Sequence, residues 1–162
     1  MPEEHSLSAQ DSLRLLALLS APDGETLNLP AGLKALVTPR YVHLVRMALE
    51  GIAIDRVAQS HTEEDLARLN AVVSELQTAA RQRPPVDTNR IAELMFTFQH
   101  LVSVLSHNSI FPLVMNAFRT FHLSFWKAEA DQLGAEHCLL YAQTLLDCIV
   151  RRDSAAAKAR MC

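Results

Sequence analysis

Apolar residues recur along most of this chain at intervals of three and four positions, which is the spacing of one helix face. In the segment that follows Thr38 they continue in helical register to about Ser60, at Val42, Val45, Leu49, Ala53 and Val57. Thr38 is a good capping residue, and Pro39 after it is tolerated in a first helical turn. This pattern predicts a helix that ends near Ser60.

The next helix is marked at both of its ends. Thr62 and Asp65 have the spacing of a capping box, in which each side chain bonds the backbone of the other residue. An apolar stripe follows, at Leu66, Leu69, Val73, Leu76 and Ala80. Pro84 and Pro85 lack the backbone N–H that a helix needs, so the helix ends before them.

Four further helical segments are predicted after these prolines. Asp87 or Thr88 caps one whose apolar face reaches Leu105. A single helix is expected from Ile110 to Trp126, followed by a loop at residues 131–134. A helix at 135–150 and a short last one capped by Asp153 complete the chain.

The first 37 residues carry weaker signals. A leucine-rich stretch from Ser8 to Ser20 predicts a short helix, and Ala21 to Pro30 is rich in turn residues. Pro30 to Leu36 is read as another short helix. No window alternates apolar and polar residues with a period of two. We therefore predict an all-α antiparallel bundle of about six to seven helices, with residues 1–37 as a lead-in and connector and residues 38–162 as the main domain.

Composition narrows the class of protein. Of 162 residues, 49% are hydrophobic and 20% are charged, as expected for a soluble globular chain. The formal net charge of −3 argues against a nucleic-acid-binding surface over the whole domain. No apolar run is long enough to span a membrane, and the acidic N-terminus is not a signal peptide. Three cysteines without a CxxC pair favour reduced thiols and a cytoplasmic location.

Several motifs, taken in order, resemble one family. The first is Arg46-x-Ala48-Leu49-Glu50, followed by Ala58 and the segment 62–69, TEEDLARL. Next come Phe98 with Ser106-His107-Asn108, and then Leu146-Asp147-Cys148-Ile149 with Asp153-x-Ala155-x-Ala157. Over residues 38–162 this order resembles the FCD domain, the C-terminal half of FadR-type GntR transcriptional regulators of bacteria.

The resemblance implies a function. FCD domains bind a small-molecule effector and dimerise, so we expect an organic acid or fatty acyl-CoA effector and a homodimer. In the family, DNA is contacted by a winged helix-turn-helix domain that precedes this one. The 37 residues before Thr38 are too few for it, so DNA binding is not carried over to this chain, which is expected to be a fragment or a stand-alone relative. The alternative is a stand-alone helical dimerisation or interaction protein without a small-molecule ligand.

Many FCD domains also bind a divalent metal, through an Asp-x-x-x-His pair and two further histidines. The matching positions here are Met95, Gln99, Ala142 and one just beyond Cys162. A thioether, a neutral amide and a methyl group do not replace carboxylate and imidazole ligands. We therefore predict no metal and no cofactor, as in the metal-free, FadR-like branch of the family.

Five residues are candidates for contact with an effector: Arg46, Met95, Gln99, Phe118 and Tyr141. Arg46 could bind an anionic group or pair with Glu50 one turn later. Gln99 lies on an apolar face and needs a partner, which could be a ligand or a neighbouring helix. The aromatic residues from Phe111 to Trp126 suit a core or a dimer interface better than a ligand site. No catalytic motif is recognisable, so an enzyme is not expected.

Overall fold

The computed structural model describes residues 39–161, with side chains described at residue 44 and at residues 47–159. This part of the chain forms seven α-helices: α1 Pro39–Ser60, α2 Glu63–Ala80, α3 Thr88–Leu105, α4 Ile110–Ala117, α5 Arg119–Leu133, α6 Ala135–Val150 and α7 Ser154–Met161. The all-α prediction is confirmed. The expected cap at Thr38 and the expected elements at 8–36 lie outside the described residues. The division at residue 38 stays a prediction.

Several helix ends follow the local sequence. The Thr62 hydroxyl accepts the Asp65 backbone N–H at 3.2 Å, and the Asp65 carboxylate accepts the Thr62 N–H at 2.9 Å. Asp87, rather than Thr88, caps α3 by accepting two backbone N–H groups. Asp153 accepts the N–H of Ala156 at the start of α7. These ends could be predicted because a cap depends on residues two or three positions apart.

Two expectations between residues 110 and 134 are wrong. The single helix predicted from Ile110 to Trp126 is two helices, which meet at Phe118 where ψ is 16°. The break lets α4 pack on α1 and α3 while α5 packs along α3 and α6, which one straight helix could not do. The predicted loop at 131–134 is helical as far as Leu133, and Gly134 alone makes the turn, at a φ of 91° that glycine tolerates.

Helix α3 is the centre of the bundle and packs against α1, α2, α4, α5 and α6. Its apolar stripe includes Ile91, Met95 and Phe98, none of which is exposed to solvent. Leu69 and Leu76 of α2 and Leu139, Leu145 and Ile149 of α6 are buried to a similar depth. A polar residue on the inner side of α3 is therefore enclosed by other helices and must find its partners there.

The C-terminal end of α1 is held by the segment before α7. The Arg152 guanidinium donates to the carbonyl oxygens of Ala58 at 3.2 Å and of Gln59 at 2.6 Å. Lys158 of α7 lies 3.5 Å from Asp55 of α1. These contacts fix the register of α1 on the bundle. Among the described residues, no helix is both long and apolar enough to cross a membrane.

Candidate functional site

Four polar side chains from three helices meet inside the bundle, and we call them the Glu50 cluster: Glu50 of α1, Gln99 of α3, and His122 and Trp126 of α5. Their exposed fractions are 6%, 4%, 2% and 2%. Enclosing so many polar groups is costly unless each is hydrogen-bonded. Apolar packing alone therefore does not explain why these four side chains lie in the interior.

Gln99 is bonded at both ends of its amide. Its Nε2 donates to Oε2 of Glu50 at 3.3 Å, and its Oε1 accepts the indole N–H of Trp126 at 2.8 Å. An indole N–H can only donate, so it fixes which end of the amide is oxygen. The NH₂ group therefore faces Glu50. The partners of Gln99 in the structure are neighbouring helices, one of the two alternatives drawn from the sequence.

His122 connects α5 to α1. Its Nδ1 lies 3.1 Å from the Phe118 carbonyl oxygen, and its Nε2 lies 3.2 Å from Oε1 of Glu50. A carbonyl only accepts, so Nδ1 carries a proton. Nε2 faces the Glu50 carboxyl group, so this contact joins α5 directly to α1.

Helical spacing brings these groups together. His122 and Trp126 lie one turn apart on one side of α5, and Phe118, one turn before His122, is the residue that precedes the helix. On α1, Glu50 lies one turn before Ala53 and Ile54, which are 1% and 2% exposed. Both helices pack on α3, so Glu50 and His122 meet at Gln99.

Aromatic rings enclose the cluster. The Trp126 ring centroid lies 5.0 Å from that of Tyr141 and 5.0 Å from that of Phe125. The Phe96 ring meets His122 edge-on at 5.8 Å and stacks on His100 at 5.7 Å. Burial, with a smaller contribution from Arg119, lowers the pKa of His100 below its usual value. The surroundings of the cluster thus disfavour added positive charge at His100.

A small cavity adjoins Glu50 and Gln99. Its volume is about 10 Å³, room for at most a single water. The remaining wall is mainly apolar and is formed by Leu49, Ala53, Ile54, Phe98, Val102, Ser103, Phe111, Met115 and Leu145. The combination of an apolar wall and a few converging polar groups is typical of small-molecule sites.

The five candidate residues from the sequence are placed differently. Gln99 belongs to the Glu50 cluster, and Tyr141 contacts it through Trp126. Phe118 contributes its carbonyl oxygen, while its half-buried ring packs on Phe121. Met95 is fully buried, one turn from Gln99, but it does not line the cavity. The side chain of Arg46 lies outside the described residues, so its role stays a prediction.

Sequence reasoning missed three members of the cluster: Glu50, His122 and Trp126. Glu50 was considered only as a local partner of Arg46, and Trp126 only as an interface or core aromatic. A signal was present, because Glu50 lies in register with Ala53 and Val57, and His122 in register with Trp126. Because Glu50 and His122 are themselves charged or polar residues on an apolar stripe, their positions could have identified them as candidates.

The predicted aromatic face is divided. Phe111 and Trp126 are buried, whereas Phe121 and Phe125 are 36% and 38% exposed. At the positions matching the family's metal ligands, Met95 and Ala142 are fully buried. The described residues contain no group of three or more His, Cys, Asp or Glu placed to hold a metal. Absence of a metal stays a prediction.

The fold and the Glu50 cluster define a class: an all-helical bundle with a polar site enclosed between its helices. The family model of the FCD domain matches residues 42–162. The chain therefore belongs to the FCD family, whose members are effector-binding regulatory domains of GntR-type regulators. No curated protein and no solved structure matched the chain.

Proposed function

We propose that this chain is the ligand-sensing and dimerisation domain of a FadR-like GntR regulator, and that its effector binds at the Glu50 cluster. The observation that carries the proposal is the enclosed polar cluster beside an apolar cavity, in a domain of a family that senses small molecules. A buried pair of this kind adds little stability over apolar packing, and converging polar groups beside an apolar wall are typical of binding sites.

Of the two effector classes expected from the resemblance, the geometry favours a small organic acid. Sites for drug-sized ligands are usually about 300–1,000 Å³ and largely pre-formed. The cavity beside Glu50 is about 10 Å³, so a fatty acyl chain would require the core around Phe98 and Leu145 to separate widely. A short acid needs a much smaller rearrangement of side chains.

The proposed mechanism is a shift between two arrangements of helix α1. In the arrangement that the structure describes, Glu50 links α1 to α3 through Gln99 and to α5 through His122. An effector that bonds differently to these groups in the two arrangements changes their populations. Any effect on DNA would pass through a DNA-binding domain that is not among the residues described here.

Dimerisation is the second part of the proposal. Five large apolar side chains on α4 and α5 are partly exposed: Ile110 at 57%, Leu113 at 38%, Phe121 at 36%, Phe125 at 38% and Leu133 at 58%. Aromatic residues are enriched at protein interfaces. Sedimentation of the wild-type chain should show a dimer, and Phe121→Glu with Phe125→Glu should shift it to a monomer. A monomeric wild type at all concentrations would contradict this part.

Effector binding can be tested with the protein's own fluorophore, because Trp126 is the single tryptophan of the chain. Short-chain carboxylic acids and acyl-CoAs are titrated while emission and melting temperature are followed. We expect a short acid to raise the melting temperature and to change the emission, and acyl-CoA to do neither. Gln99→Leu should remove the response. Gln132→Leu, at an exposed position of α5, is the matched control.

The rival is a helical interaction protein without a ligand. A robust dimer in sedimentation, combined with no response of Trp126 or of melting temperature to any acid or acyl-CoA, would support the rival and overturn the sensing function.

A further inference from the structure

Glu50 is bound by the rest of the domain in the way that a carboxylate ligand would be. Its two oxygens face different partners: Oε1 lies 3.2 Å from Nε2 of His122, and Oε2 accepts from Nε2 of Gln99 at 3.3 Å. The two partners come from α3 and α5, whereas the carboxyl group is supplied by α1. Helices α3 and α5 thus supply the binding groups, and α1 supplies the carboxyl group that they bind.

The side chains of His122 and Gln99 are held in position by contacts that do not involve Glu50. The Phe118 carbonyl oxygen fixes the ring of His122 through Nδ1, and the Trp126 indole N–H fixes the amide of Gln99 through Oε1. One of these contacts joins α5 to the residue that precedes it, and the other joins α3 to α5. The groups facing Glu50 therefore keep their directions if its carboxyl group leaves, which is the preorganisation that a binding site requires.

We infer that His122 and Gln99 form a carboxylate-binding subsite that Glu50 occupies in the effector-free domain, and that an acidic effector binds by displacing it. This rests on the proposed function and names its ligand class: a short carboxylic acid with an apolar body. The carboxylate takes the place of the Glu50 group, and the apolar body enters the cavity lined by Phe98, Phe111 and Met115. Glu50 is then an internal competitor whose release frees α1.

The exchange conserves the charge of the subsite, since one carboxyl group replaces another beside His122. The displaced Glu50 must be accommodated elsewhere, so the wild-type domain binds the acid more weakly than an open subsite would. A domain without the competitor should show the intrinsic affinity.

Glu50→Ala provides the direct test, because it removes the atoms of an acetate ion and leaves the two partner groups in place. In chloride buffer the variant should melt below the wild type. Acetate or propionate should then raise its melting temperature saturably, by at least about 3 °C at saturation. Acetamide at the same concentration, and chloride at the same ionic strength, should not. An equal rise with acetamide would overturn the inference.

Two controls separate the subsite from general salt effects. Adding His122→Phe to Glu50→Ala removes one partner group and should abolish the rescue. Glu136→Ala, which removes an exposed glutamate of α6, should show no rescue because no enclosed subsite is opened. Rescue of the double variant, or of Glu136→Ala, would contradict the assignment.

If Glu50→Ala does not fold, Glu50→Gln keeps the shape of the side chain and removes its charge. Propionate should bind this variant about tenfold more tightly than it binds the wild type, as read from Trp126 emission. Equal affinity would overturn the internal competition.

The outcomes also distinguish this inference from the proposed function. Rescue of Glu50→Ala by acetate, with no acid acting on the wild type, supports the carboxylate-binding subsite but contradicts both the displacement of Glu50 and the sensing function. An acid that binds the wild type through Gln99, with no rescue of Glu50→Ala, supports the sensor and contradicts the subsite.

Discussion

The two sides of helix α3 differ in how they are held. Toward α2 and α6 the contacts are apolar, with Leu69, Leu76 and Leu139 fully or almost fully buried. Toward α1 and α5 the contacts include the Glu50 cluster. The first side gains stability from apolar burial. The second encloses a carboxyl group and an imidazole, a combination that apolar residues of similar volume often match or exceed in stability. If the effector binds as proposed, this difference reflects the function of the second side.

The largest expected effect comes from removing one partner of the buried pair. His122→Phe leaves the Glu50 carboxyl without its imidazole and should lower the free energy of unfolding by about 3–5 kcal/mol. Urea denaturation measures the change. Adding Glu50→Leu and Gln99→Leu should recover part of the loss, because apolar side chains then replace every member of the cluster except Trp126, whose indole N–H loses its acceptor, while the response to acids stays absent. A triple variant no more stable than His122→Phe would contradict this view of the cluster.

On the apolar side, a loss of similar size should leave ligand response intact. Leu76→Ala removes a fully buried side chain and should cost about 2–5 kcal/mol, depending on how far the site collapses. Acetate rescue in the Glu50→Ala background should persist when Leu76→Ala is added, provided that the protein is studied below its melting temperature. Loss of rescue would mean that the two sides of α3 are not separable.

Gln99→Leu should have a smaller effect on stability and a large effect on response. The indole N–H of Trp126 then loses its acceptor, at a cost of about 1–3 kcal/mol. The fluorescence emission of Trp126 in the native state should also change, because its indole group is the donor in the hydrogen bond that is lost. Unchanged emission and stability would show that the bond between Gln99 and Trp126 contributes little.

The smallest effect is at the start of α2, outside the Glu50 cluster. The backbone N–H of Thr62, bonded to the carboxylate, holds the pKa of Asp65 below its usual value despite some opposing desolvation. Because the folded-state pKa is depressed, its contribution to stability is present above about pH 4 and is lost as the pH falls further.

Asp65→Asn should remove that part of the pH dependence. Chemical denaturation at a series of pH values below about 5 compares the variant with the wild type. Parallel curves for the two proteins would contradict the role of the cap, whereas Glu63→Gln, which changes a first-turn acid outside the capping box, should leave the acid limb nearly as in the wild type.

The same contrast explains what the sequence could predict. The ends of α2 and α3 depend on neighbouring residues such as Thr62 and Asp65, so they were predicted from local pattern. The break at Phe118 depends on how α4 and α5 pack on other helices, and no residue near Phe118 predicts it. The need of Gln99 for a partner followed from its position, but the partners themselves are 49 and 27 residues away along the chain.

Glu50 is the most instructive miss. Its spacing to Arg46 suggested a local pair, which is the commonest explanation for such charges on a helix. The structure places Glu50 beside His122, 72 residues later, and only tertiary packing brings the two together. Polar residues on apolar stripes therefore mark candidate sites, but their pairing requires the fold.

The most direct test of the Glu50 cluster as the effector site is the indole ¹H–¹⁵N resonance of Trp126 in the wild-type domain. The chain has one tryptophan, so the signal is single and its N–H donates to Gln99 within the cluster. We predict that an acid which raises the melting temperature moves this resonance in proportion to its occupancy, and that Gln99→Leu abolishes both effects. An acid that stabilises the domain while the indole resonance stays in place would show that the effector binds elsewhere.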